Sequence, residues 1–234
     1  MLSIVNLCKK YNSKYALRNL NIHIGRGEIG ILVGENGAGK TTTINSIAGL
    51  LKYEGSIEIN GISNTSVSAK RILGIVPEVA NPYDNLTVYE HMEYIAKAYK
   101  ISDWQNDAED LLKRFNMLDE SNKLGKELSK GMRQKLNICM TLLHNPKVII
   151  FDEPIIGLDP MAITEMKKII VERKNTGCAI LICTHILDTV AGFWDKAYIL
   201  SKGQLIKEVI KSQLSETTSL EEVYVSALNM KQGD

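Results

Sequence analysis

The run Gly34-Glu35-Asn36-Gly37-Ala38-Gly39-Lys40-Thr41 carries the pattern GxxxxGK[ST]. Glycines at this spacing let a backbone curl until successive N–H groups converge on phosphate oxygens. A helix opening near Gly39 adds the positive end of its dipole. Lys40 is placed to reach the β- and γ-phosphates of a nucleoside triphosphate. Thr41 has the hydroxyl to ligate Mg²⁺, and Thr42 adds a phosphate hydrogen bond. The pattern means this only between a buried strand and a helix. Residues 28–33 form a mostly apolar run, and Ile44, Ile47, Ala48 and Leu51 then recur at helical spacing.

A second chemical feature lies far along the chain, where the apolar run Val148-Ile149-Ile150-Phe151 ends in Asp152-Glu153. An acid at the carboxyl end of a buried strand can hold magnesium through water, which is the role expected of Asp152. Glu153, one step on, points elsewhere and can accept the proton of a water attacking the γ-phosphate. The plainer alternative is that both acids cap a turn before Pro154. His185 follows another buried run, residues 179–183. It is either a hydrogen-bond donor to the γ-phosphate or a structural histidine.

The elements that must position these residues divide the chain in three. Strands are expected at 3–7, 20–24, 28–33, 56–60 and 73–76, and a helix at 40–50. From 87 to 144 strand signals fade. A helix headed by Thr87, with Glu90 completing a capping box, is followed by helices at 103–116 and 129–144. Strands return at 148–151 and 179–183, around a helix at 160–174. A hairpin follows at 196–200 and 204–208, and the tail from 211 is polar and helical at best. The expected organisation is an α/β core with a β subdomain (1–83 and 147–210), a helical lobe inserted at 84–146, and a tail at 211–234.

Composition narrows the partners. Of 234 residues, 44% are hydrophobic and 24% charged, which is ample for one core. A net charge of +1 provides no field for nucleic acid, so none is expected as a partner. No apolar run reaches the roughly 18 residues of a membrane span, and the expected location is the cytoplasm. Cys8, Cys139, Cys178 and Cys183 form no CxxC pair and read as small buried hydrophobes.

Together these residues resemble the ATPase subunit of ABC transporters, over roughly residues 2–210. Leu128-Ser129-Lys130-Gly131-Met132-Arg133-Gln134 looks like the family signature LSGGQ, about 20 residues before the strand acids. Gly157-Leu158-Asp159 resembles the D-loop and His185 the switch histidine. Tyr11 matches the aromatic that stacks on adenine, with Tyr15 as the alternative. The resemblance implies an α/β fold: a P-loop NTPase (RecA-like) core with an antiparallel β subdomain and an inserted α-helical subdomain. It implies ATP and Mg²⁺ as ligands and hydrolysis of ATP. It also implies a head-to-tail dimer, homo- or heteromeric, in which Ser129 and Gly131 of one copy meet the γ-phosphate held by the other. An integral membrane permease would be the third component, placing the chain on the inner face of the cell membrane, docked through residues 78–94.

Three departures stand out. Lys130 and Met132 replace the family's Gly and Gln. Glu78 stands where a glutamine ligates Mg²⁺. No TEVGERG-like segment precedes the signature, where the chain reads Lys123-Leu124-Gly125-Lys126-Glu127-Leu128. The combination looks most like bacterial drug, peptide and antibiotic-resistance exporters with a separate membrane chain. The alternatives are a soluble ABC ATPase acting on ribosomes or DNA, and a regulatory or immunity ATPase with slow turnover.

Overall fold

A computed structural model describes the chain apart from residues 191, 216, 217, 233 and 234, with the side chains of 230–232 also outside the description. Strands β1 (Leu2–Tyr11), β2 (Lys14–Ile24), β4 (Glu54–Ile59) and β5 (Ile62–Ser63) form an antiparallel sheet in the order β2-β1-β4-β5. The second sheet has the order β10-β9-β3-β8-β7-β6. It is built from β3 (Ile29–Val33), β6 (Leu73–Val76), β7 (Val148–Asp152), β8 (Ala179–Thr184), β9 (Lys196–Ser201) and β10 (Gln204–Ile210). All its pairings are parallel except the β9–β10 hairpin.

Both faces of the second sheet are covered, so its central strands β3, β7 and β8 are buried at every position. Their period-two geometry still sorts the residues. Ile29, Ile31 and Val33 of β3, Ile149 and Phe151 of β7, and Ile180 and Ile182 of β8 face one core. Leu32, Val148, Ile150, Leu181 and Cys183 face the other, shared with the antiparallel sheet and α1 (Lys40–Ile47). The first core runs without a break into α3 (Val88–Tyr99), α4 (Gln105–Arg114) and α5 (Lys130–Leu143). Thr141 Oγ1 of α5 donates to the Ile75 carbonyl of β6, and His144 Nε2 lies 3.2 Å from that of Leu73. The helical lobe is thus packed on the sheet through α5. The core side is completed by α6 (Pro160–Asn175) and α7 (Leu220–Gln232), while α2 (Val67–Arg71) precedes β6.

Some expected boundaries move. The first two strands are longer than residues 3–7 and 20–24, because Asn6 (φ 51°) and Asn19 (φ 48°) form bulges beyond which pairing resumes. Cys8 is only half-buried, its thiol donating to Asn19 Oδ1 at this irregularity. Helix α1 stops at Ile47, since Gly49 turns left-handed and Leu50 is exposed. The tail forms a real helix, α7, which buries Leu220, Val223 and Ala227.

Candidate active site

Strand β3 ends at Val33 and α1 begins at Lys40, so the glycine loop sits at the carboxyl end of a central parallel strand. Neighbouring β7 and β8 end beside it. A cleft of about 250 Å³ is lined by Glu35, Asn36, Gly37, Gly39, Lys40, Thr41 and Thr42 of the loop. Ala16, Glu78, Asp152, Glu153 and His185 complete it. Open α/β sheets bind ligands at such strand ends.

The loop is shaped by its own packing. Gly39 has φ 115°, and a Cβ there would lie 2.7 Å from Leu17 Cδ2, so only glycine fits. Gly34 and Ala38 are not among the residues lining the cleft. Gly34 backs onto the Leu200 carbonyl, 2.4 Å from where its Cβ would stand, and the Ala38 carbonyl accepts Gly203 N–H. These two anchor the loop to β9 and the turn after it. The buried Lys40 ammonium donates to the carbonyls of Gly34 (2.6 Å) and Glu35 (3.4 Å) and lies 3.9 Å from Glu153 Oε1.

Glu153 is the most constrained residue of the site. It is buried and adopts φ 46°, a left-handed conformation uncommon for a long side chain and frequent at functional sites. Its N–H donates to Cys183 O on β8 at 2.8 Å. One carboxylate oxygen accepts the Thr184 hydroxyl (3.0 Å), and the other lies 2.6 Å from His185 Nδ1. The two acids therefore do more than cap a turn. Thr184 was not legible as a site residue. The register Asp152↔Cys183 is the signal, because it sets the ends of β7 and β8 side by side. His185 is placed by Glu153, and its Nε2 has no partner among the described residues.

Four carboxylates, those of Glu35, Glu78, Asp152 and Glu153, and the buried Lys40 ammonium line the cleft. Burial, then the charges of Glu78 and Glu153, push the Asp152 carboxyl up to about 6, opposed only by Lys40. Such a site favours added positive charge, and the oxygen donors of Thr41, Asp152 and Glu78 suit a hard divalent cation. Among the described residues no cluster of three or more His, Cys, Asp or Glu forms a ready metal cage.

Other expected residues lie elsewhere. Tyr11 ends β1, exposed, with the Lys9 ammonium 5.1 Å from its ring. The Tyr15 ring is flanked by Lys10 and Arg18. From this hairpin only Ala16 lines the cleft. Ser129 is the exposed N-cap of α5, its oxygen accepting Met132 N–H at 3.3 Å. Gly131 packs on the D-loop, with the Gly157 carbonyl 2.6 Å from where a Cβ would stand, and Lys130 lays its methylenes along Gly157. Asp159 caps α6 by accepting Ala162 N–H (2.9 Å) and pairs with Lys135 Nζ (2.6 Å), which holds its carboxyl below the usual range. Ser129, Gly131 and Asp159 thus form one surface, and none lines the cleft of their own chain. On the 78–94 segment Val79, Tyr83 and Tyr94 are exposed, whereas Val88 is buried and Tyr89 packs on Trp104.

A phosphate-cradling loop at the end of a parallel strand, facing a paired acid and base, defines a nucleotide hydrolase of the P-loop class. The family model described as ABC transporter matches residues 17–156. The lipopolysaccharide export system ATP-binding protein LptB of Haemophilus influenzae is 32% identical over 233 residues, 96% of this chain and 97% of that protein. The bacitracin transport ATP-binding protein BcrA of Bacillus licheniformis is 37% identical over 214 residues, 89% of this chain and 69% of that one. A solved ATP-binding cassette, a dimer in a post-hydrolysis state bound to ADP and Pi, superposes with a TM-score of 0.78. It is 26% identical and covers 90% of this chain and 98% of that one. The chain belongs to the ABC transporter family, as an ATP-binding ABC ATPase.

Proposed function

We propose that two copies of this chain, or one copy and a related ATPase, close head to tail on two ATP molecules and drive export through a separate membrane-spanning partner. The observation that carries this is the division of the site. The cleft has its loop, acids and histidine in place, while the surface formed by Ser129, Gly131 and Asp159 lies outside it. Ser129 and the N–H groups opening α5 offer donors to a γ-phosphate, as helix N-termini do. In this reading a second chain brings them to it.

Within one cleft, the loop N–H groups and Lys40 hold the phosphates. Thr184 and His185 fix the Glu153 carboxylate, which takes a proton from the attacking water, and a His185 ring carrying both protons would donate towards the γ-phosphate through Nε2. Thr41, Glu78 and, through water, Asp152 would hold Mg²⁺, which when bound withdraws charge from the phosphate oxygens. Tyr11, with its ring exposed, is the residue left for the adenine. No helix among the described residues is long and apolar enough to cross a membrane. In this reading a membrane-spanning partner docks at the inner face of the membrane on the exposed Val79, Tyr83 and Tyr94. The names of the two relatives, one in an export system and one in bacitracin transport, support this reading.

The test is purification of tagged chain from detergent-solubilised membranes of its own host. A multi-span protein recovered in fixed ratio, whose presence changes the ATPase rate, is expected. Recovery with ribosomes alone would contradict the transport role. Glu78 favours one second reading, a slow regulatory ATPase, because it adds a carboxylate to those of Asp152 and Glu153 beside the phosphates. A many-fold rise in turnover for Glu78→Gln would support that reading.

A further inference from the structure

His91 has no role in the chemistry, yet it is a polar residue with no exposed surface, set in α3 outside the cleft. Both its ring nitrogens are engaged by backbone. Nδ1 lies 2.7 Å from the Thr87 carbonyl, which can only accept, so the proton sits on Nδ1. Nε2 is then a bare acceptor and takes the Tyr83 N–H at 2.9 Å. The Tyr83 ring stacks on the imidazole, with centroids 6.1 Å apart.

On the other side of Tyr83 stands Gly125. A Cβ there would lie 2.2 Å from the Tyr83 carbonyl oxygen and 3.4 Å from His91 Cε1. Gly125 N–H donates to Leu86 O (2.8 Å), Lys126 N–H to Asp84 O (3.2 Å) and Val88 N–H to Lys123 O (3.0 Å). Segment 83–88 is thereby laced to segment 123–126. The lacing continues towards the signature. Glu127 accepts the Leu124 N–H, and Arg133 of α5 reaches back to the carbonyls of Leu128 (3.0 Å) and Lys126 (3.3 Å). An unbroken chain of hydrogen bonds runs from the exposed Tyr83 to the first turn of α5.

We propose that His91 is a positioning residue which, with Gly125, locks segment 83–88 onto the loop before Ser129, so that the two move as one unit and the signature is held ready for the second chain's phosphate. This rests on the two-chain site proposed above. His91→Leu keeps the volume and removes the acceptor, and Gly125→Ala attacks the same lock from the opposite side. Hydrogen–deuterium exchange on the nucleotide-free chain tests the lock alone. Both variants should exchange faster at 83–88 and also at 124–132. In a Glu153→Gln background, the ATP concentration for half-maximal dimer should rise about fivefold, the equivalent of one hydrogen bond. ADP affinity should stay unchanged, and His91→Gln, which keeps an acceptor, should recover most of the effect. Exchange confined to 83–88, or an unshifted dimer midpoint in both variants, would overturn the proposal. If the Glu153→Gln parent never dimerises, the two-chain reading is what fails, and the exchange pattern still decides the lock.

Discussion

The loops at 34–39 and at 128–131 each lead into a helix N-terminus, yet they are finished to different degrees. The first is closed on itself. Its lysine is held by loop carbonyls, Gly39 and Gly34 are packed on β2 and β9, and the ends of β7 and β8 supply Asp152, Glu153 and His185 to one cleft, with Thr184 bonded to Glu153 behind them. The second is equally well built but lies outside that cleft. Ser129 caps α5 and Gly131 is packed on Gly157, while neither lines the cleft beside Lys40. The difference teaches that rigidity and completeness are separate properties. A half-site can be fully preorganised, at no cost in chemistry to the lone chain, if its target arrives on another molecule.

The most severe way to break the comparison is Glu153→Gln. Removing the base should lower turnover by about 10²- to 10⁴-fold while KM changes little, because the phosphate contacts remain. Steady-state ATPase kinetics check this, and wild-type turnover would mean that the Glu153–His185 pair is structural. Gly131→Ala strikes the other region. Its added methyl meets the Gly157 carbonyl, so the signature must shift. Hydrolysis should fall about tenfold or more, with ADP binding to the single chain unaffected in calorimetry.

Asp152→Asn separates stability from function in the closed region. Burial, then the charges of Glu78 and Glu153, push the Asp152 carboxyl in the folded chain up to about 6, above its ordinary value. Between roughly pH 4 and pH 6 the folded chain therefore binds more protons than the unfolded one, and this group's contribution to stability falls as pH rises through about 6. The nucleotide-free Asn variant should melt higher than wild type above pH 6, at roughly 2–4 °C per kcal/mol gained, and lose that advantage towards pH 4. ATPase activity should be lost at every pH. The smallest effect is expected for Lys135→Ala, which frees Asp159 on the open surface. The pair is partly exposed, so its loss should cost up to about 1 kcal/mol, seen as a small drop in melting temperature.

Much of the closed region was legible because its motif encodes backbone geometry: residues 34–41 form the loop wherever a buried strand and a helix flank them. The acids were legible because a buried strand does not end in two carboxylates without cause. What escaped notice depends on register and packing. Thr184 joins the site only because Cys183 pairs with Asp152, and Gly34 and Ala38 turn to β9 only because that strand lies beside β3. The bulges at Asn6 and Asn19 hid half of each first strand, since polar residues there break the apolar alternation. The helical lobe's three helices were visible from periodicity and the Thr87 capping box, but their continuity with the sheet core was not.

The central claim is that the nucleotide site is completed by a second chain. Its most direct test is the molar mass of the Glu153→Gln chain by light scattering, first in ATP and then in ADP. Twice the single-chain mass of 26.1 kDa in ATP and the single mass in ADP are predicted. The same mass in both nucleotides would contradict it.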